Sequence, residues 1–168
     1  MEKLWSPWRS KYIESFKSKK ENESECIFCA AIEQDISSEN CLKVFNGKNV
    51  IIMLNLFPYN NGHLMVVPKR HVSDYLDLSA DELNEVNNLI KLTISAQRKL
   101  IKPQGFNIGA NLGKAAGAGI DDHIHFHVLP RWNGDTNFMP ALGEVKVISQ
   151  DLLESKKALI NAYIELGI

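Results

Sequence analysis

The chain has only three cysteines in 168 residues, too few and odd in number for a disulfide framework. Two of them stand as Cys26-Ile-Phe-Cys29, which fits a reducing compartment and a metal or redox site better. No apolar run approaches the roughly 20 residues that span a bilayer, and Met1-Glu2-Lys3-Leu4-Trp5 lacks the apolar core of a signal peptide. A cytoplasmic protein with no membrane partner is therefore expected. Excess charge of either sign is also missing: 19 Lys and Arg against 20 Asp and Glu leave a formal charge of −1. That balance argues against a nucleic-acid partner bound by neutralising many phosphates, and leaves a small charged ligand open. No loop closes on Gly-Lys-Ser/Thr as a P-loop does, and Gly117-Ala-Gly119 lacks the third glycine of a dinucleotide fingerprint. There is no internal repeat and no break in composition.

What is present is histidine, placed unevenly. All five fall in two short stretches, His63 to His71 and His123-Ile-His125-Phe-His127. Read as a strand over 123–129, the second stretch puts three imidazoles on one face, with Ile124, Phe126 and Val128 turned into a core. Two chemistries commonly need such a cluster: a metal held by several nitrogens, or a reaction at phosphorus in which one ring attacks and its neighbours manage protons.

The hydrophobic fraction of 45% over this length is enough for one sizeable core. The chain divides into an N-terminal extension 1–25, a domain 26–140 and a C-terminal extension 141–168. Residues 17–25 are polar and charged without apolar periodicity and read as a mobile connector. Val50 to Asn55, the turn cluster Pro58-Tyr-Asn-Asn-Gly62 and His63 to Val67, stopped by Pro68, read as an antiparallel hairpin. Ser79-Ala-Asp-Glu82 is a capping box, followed at helical spacing by Leu83, Val86, Ile90, Ile94 and Ile101 until Pro103. Phe106 to Ala110 is a further strand, the glycine-rich stretch 111–119 leads to the histidines, and Ser149 to Glu165 suggests a terminal helix. The order predicts an α+β fold, an antiparallel sheet with one long helix and a C-terminal helix packed on it.

The alternation of histidine with apolar residues at 123–129, preceded by Asn55, Gly62-His63 and Asn111, resembles the histidine triad family of nucleotide hydrolases and transferases. The likeness runs from about Cys26 to Trp132, with four separated motifs in the family's order. Leu4-Trp-Ser-Pro-Trp-Arg9 and Pro130-Arg-Trp-Asn-Gly-Asp-Thr-Asn-Phe-Met-Pro140 resemble the bacterial branch that includes diadenosine tetraphosphate phosphorylases.

The resemblance implies a two-fold homodimer formed through the long helix and its adjoining strand, with the sheets continuing across the interface. It implies His125 as nucleophile toward the α-phosphorus, giving a covalent nucleotidyl-histidine, with His127 donating to phosphate or leaving oxygens and His63 and His123 supporting them. A core histidine is the plain alternative for His63. Asn55 matches the ribose position; Ile27, Phe28, Met53 and Leu56 match the nucleoside slot, where ordinary core packing is the alternative. Asn111, Gly117 and Gly119 match the phosphate loop, although relatives that carry a serine near Gly119 gain a hydroxyl absent here. Lys114 on that loop adds charge or simply faces water. Trp132 matches an aromatic of the phosphorylase branch. Cys26, Cys29, His71 and His123 match the ligands of a structural zinc in several relatives, a redox dithiol or a bare thiol pair being the alternatives. Cys41 has no role, and no organic cofactor is expected.

The leading function is cleavage of a dinucleoside polyphosphate of the diadenosine tetraphosphate type, with orthophosphate or water as second nucleophile. A mononucleotide phosphoramidate hydrolase of the same family, a zinc hydrolase using all three triad histidines as ligands, and a nucleotide-binding regulatory protein are the alternatives. His127 stands where a uridylyltransferase typically has glutamine, which disfavours that activity.

Overall fold

The computed structural model describes residues 26–38, 40–135 and 151–167. The Trp5–Trp8 segment, the connector 17–25, residues 136–140 of the Trp132 motif and the start of the terminal helix at Ser149 lie outside them.

Five strands form one antiparallel sheet: β1 (Lys43–Asn46), β2 (Val50–Leu54), β3 (Leu64–Pro68), β4 (Gly105–Ala110) and β5 (Phe126–Arg131), in the order β1-β2-β3-β5-β4. Three helices among the described residues accompany it: α1 (Ile27–Glu33), α2 (Ala80–Ile101) and α3 (Leu152–Glu165). This is the α+β arrangement expected. The sheet is covered on both faces, which is why β2 and β3 are continuous apolar runs rather than alternating ones. On one face Val50, Ile52, Leu54, Leu64, Val66, Phe126 and Val128 join α2 and α3 in the larger core. On the other, Ile51, Met53, Met65 and Val67 meet Phe28 and Ala31 of α1.

The hairpin of β2 and β3 pairs from Val50↔Pro68 to Leu54↔Leu64. The expected strand 123–129 is shorter at its start and longer at its end. β5 begins at Phe126, because its pairing with β3 involves only Leu64, Met65 and Val66, while Ile124 N–H donates instead to the Val72 carbonyl at 2.7 Å. His123 and His125 thus stand on the approach to the strand, not within the ladder.

α2 starts at the expected capping box, with Ser79 Oγ and the Glu82 carboxylate exchanging backbone donors, and ends at Lys102 in the left-handed region (φ 46) before Pro103. Its buried stripe is Val86, Leu89, Thr93 and Ala96 with Glu82 and Gln97, a correction to the stripe through Leu83, Ile90, Ile94 and Ile101, which lies half-buried beside it. Thr93 tolerates burial because its Oγ donates to the Leu89 carbonyl at 2.8 Å; Gln97 donates its Nε2 to the Gly62 carbonyl, while its buried Oε1 finds no partner among the described residues. β1 and α1 were not foreseen in the sequence. Lys43 occupies a core position of β1, 2% exposed, because its ammonium donates to the Ile32 carbonyl at 2.7 Å at the end of α1.

Candidate active site

Four of the five imidazoles and Phe28 gather where β5 begins, on the α1 side of the sheet. His125 is 6% exposed, and its Nδ1 lies 3.0 Å from the carbonyl oxygen of His123. A carbonyl only accepts, so the proton sits on Nδ1 and the lone pair on Nε2. Burial pushes the His125 pKa down, opposed by that hydrogen bond, which keeps the ring neutral near pH 7. Phe28, fully buried, packs against it with ring centres 4.7 Å apart.

A second chain of hydrogen bonds orders the next two rings. The backbone N–H of Tyr59 donates to Nδ1 of His63 at 3.2 Å, so the proton of His63 is on Nε2. That Nε2 is 2.9 Å from Nδ1 of His127, which must then accept and carry its own proton on Nε2. Burial, and next the neighbouring His125, hold the His127 pKa down at about 4, so it is a neutral donor. The ring of Tyr59 stacks on His63 with centroids 5.0 Å apart. His63 itself is fully buried immediately before β3, its N–H bonded to Asn60 O and its carbonyl to Asn55 N.

The ring of His123 faces elsewhere. Its Nε2 donates to the Pro68 carbonyl at 2.8 Å, leaving the Nδ1 lone pair directed at Cys26 Sγ (3.4 Å) and Cys29 Sγ (3.7 Å). His71 Nδ1 is 3.3 Å from Cys29 Sγ, and the four ligand atoms lie within 4.8 Å of one another. Two thiols and two imidazole nitrogens at these separations suit the four corners around a tetrahedral zinc with bonds of about 2.0–2.3 Å. The Pro68 carbonyl supplies the outer hydrogen bond that commonly orients such a ligand.

The other sequence-predicted residues ring this centre unevenly. Met53 is buried in the α1-side core, whereas Ile27 and Leu56 are 44% and 58% exposed. Asn55 accepts the Phe57 N–H on its side-chain oxygen at 2.9 Å, turning the chain after β2. Asn111 is half-buried; the loop after it makes a short 3-10 turn, Lys114–Ala116, between Gly113 (φ 74) and Gly117 (φ 90). Gly119 is exposed, and the following Ile120 packs against the α1-side core. Lys114 is exposed and 3.6 Å from Asp121. Trp132 is half-buried just past β5. Cys41 is fully buried. Tyr59, Asn60 and Asp135 are not singled out in the sequence: Pro58-Tyr-Asn-Asn-Gly62 reads only as a turn cluster and the segment holding Asp135 only as a branch motif, and neither reveals contact between the two. A cavity of about 220 Å³ between α2 and α3, lined by Gln97, Leu100, Ile101 and Leu159 among others, touches none of the imidazoles.

A five-stranded antiparallel sheet with an imidazole cluster of this order defines a class, and comparison with known proteins identifies it. Residues 37–134 match the HIT domain family, and the chain belongs to that family. Over 161 residues it is 39% identical to an AP-4-A phosphorylase of Mycobacterium tuberculosis, covering 95% of this chain and 83% of that protein. An adenosine 5′-monophosphoramidase of Schizosaccharomyces pombe is 32% identical over 108 residues, covering 64% of this chain and 75% of that protein. Among solved structures, a zinc-bound histidine triad family protein from Mycobacterium smegmatis superposes with a TM-score of 0.68 at 29% identity, covering 85% of this chain and 96% of that one.

Proposed function

We propose that the protein is a nucleotidyl-transfer enzyme that cleaves dinucleoside polyphosphates of the diadenosine tetraphosphate type through a covalent nucleotide on His125. The observation that carries this reading is the proton placement: His125 offers a lone pair on Nε2 while His127 offers a proton on its own Nε2, with ring centres 4.9 Å apart. Attack of Nε2 on the α-phosphorus forms the P–N bond and breaks the bond to the leaving polyphosphate oxygen. The imidazolium so formed keeps its Nδ1 proton on the His123 carbonyl, and the leaving oxyanion takes the hydrogen bond of His127. No strong base is needed, because the attacking ring is already neutral. Orthophosphate or water then attacks the nucleotidyl-histidine.

Asn55 serves the ribose in this reading. Ile27, Phe28, Met53 and Leu56 serve the nucleoside slot, Trp132 the second nucleoside, and Asn111, Gly117 and Gly119 the phosphates. Similarity to the mycobacterial phosphorylase over nearly the whole chain supports this substrate class. Likeness to the monophosphoramidase supports a second reading, hydrolysis of nucleoside phosphoramidates through the same intermediate. Cys26, Cys29, His71 and His123 would hold a structural zinc, which supplies a rigid cross-link between α1 and the approach to β5. The unit working here is residues 26–140 with extensions on either side, acting in the cytoplasm as a homodimer. Among the described residues β4 is an edge strand, with Asn107, Ile108 and Gly109 exposed, which supports sheet continuation between two copies.

Turnover of diadenosine tetraphosphate with and without orthophosphate tests the reading. ADP plus ATP only when phosphate is present marks a phosphorylase, and AMP plus ATP without it a hydrolase. No cleavage under either condition sinks this substrate class.

A further inference from the structure

Asp135, one residue beyond the turn that carries Trp132, has a side chain 9% exposed, with both oxygens bonded. Oδ1 accepts from Arg131 Nη2 at 2.8 Å. Oδ2 accepts three donors from two parts of the chain: Arg131 Nε at 2.7 Å and Trp132 N–H at 3.1 Å close by, and Asn60 Nδ2 at 2.9 Å. An exposed ion pair between residues four apart contributes little by itself. Here the guanidinium is also held by Asn107 Oδ1 on β4 at 2.8 Å, and the carboxylate reaches across to the β2–β3 loop. An ionised carboxylate is acceptor-only on both oxygens, so it alone among side chains of this size satisfies all four donors; an asparagine would turn an N–H₂ group toward Arg131.

Asn60 is the far end of the link. Its carbonyl takes the His63 N–H at 3.2 Å, and its neighbour Tyr59 supplies the N–H that fixes the proton of His63. The loop is thus tied at Asn60 to the Trp132 turn, and the same loop decides which nitrogen of His127 carries a proton. We propose that Asp135 is a positioning residue for nucleotidyl transfer: it clamps the Tyr59–Asn60 loop to the Trp132 turn and so holds the His63–His127 pair aligned on the leaving oxygen. The proposal rests on the role given above to His127.

The loss of Asp135 therefore matters in proportion to the charge that builds on the leaving oxygen. Phenyl and p-nitrophenyl esters of AMP form the same nucleotidyl-His125 from leaving groups of similar size, and phenolate needs much more help than p-nitrophenolate. Values of kcat/KM on the two esters would be compared for wild type, Asp135→Asn and Asn60→Ala, with a thermal melt of each. The expected result is a loss on the phenyl ester about tenfold or more beyond that on the p-nitrophenyl ester for Asp135→Asn, and the same direction for Asn60→Ala. Equal losses on both esters, or no loss on either, overturn the proposal. Should Asp135→Asn not fold, Asn60→Ala decides by the same criterion. Wild-type protein inactive on both esters overturns the reading of the triad itself, a result distinct from failure of the clamp.

Discussion

The carbonyl oxygen of His123 lies 3.0 Å from Nδ1 of His125, while the ring of the same His123 turns away to face Cys26 and Cys29. One residue therefore belongs to two sites. Whatever fixes its ring also fixes the backbone oxygen that keeps the proton of His125 on Nδ1, and through it the direction of the Nε2 lone pair.

This coupling predicts that the cysteine–histidine cluster governs both stability and rate. Protein purified without chelator is expected to hold about one zinc per chain. Cys29→Ser should lose most of that zinc, melt at lower temperature and turn over more slowly. Metal analysis alongside calorimetry checks this, and full zinc retention in the variant would remove Cys29 from the ligand set.

Acid should act through the buried imidazoles. Unfolded histidine titrates near 6.5, whereas His127 in the fold titrates at about 4. Between those values the unfolded chain binds the extra proton and the folded chain does not. This group's contribution to stability is therefore complete above about 6.5 and is lost as pH falls toward about 4, by up to about 1.4 kcal/mol per pH unit. Activity should likewise fall toward acid as either buried ring charges, the attacking His125 or the donor His127, with its limb below 6.5 because burial holds both pKa values down. Urea midpoints and initial rates from pH 4 to 8 measure both; a rate limb centred at 6.5 would show that burial does not hold these two rings neutral.

Gly62 sits at φ +72, and a Cβ added there would stand 2.9 Å from Ile101 Cδ1 and 3.3 Å from Gln97 Nε2. Gly62→Ala is expected to destabilise the fold by about 1–3 kcal/mol. Because His63 follows directly, kcat should fall more than KM rises. Denaturant unfolding with steady-state kinetics tests this, and a variant of unchanged stability and rate would contradict it.

Much of this architecture is visible in the sequence where one rule acts alone. The hairpin shows because a turn cluster separates two apolar runs, and α2 because Ser79 and Glu82 form a capping box. The histidine alternation pointed to the imidazole cluster, although pairing begins only at Phe126. What was hidden depended on partners distant in sequence. Lys43 masks β1 because nothing local reveals that the Ile32 carbonyl will receive its ammonium. α1 is only seven residues long, and Cys26 at its start makes no side-chain cap. Gln97 and Thr93 mislead the helical stripe for the same reason: polar residues can face the core when the fold supplies donors and acceptors for them, as it does for Thr93 Oγ and Gln97 Nε2. The clamp at Asp135 is the extreme case, since one of its donors, Asn60 Nδ2, comes from a loop 75 residues away in the chain.

The most direct test of the account is to trap the nucleotide on the protein. Wild type, His125→Gln and His127→Gln would be mixed with diadenosine tetraphosphate, quenched in base, where a P–N bond survives, and analysed by intact and peptide mass spectrometry. The account predicts one added adenylyl group on His125 in wild type, none in His125→Gln, and slower accumulation in His127→Gln. An adenylyl group on any other residue, or undiminished labelling of His125→Gln, would contradict it.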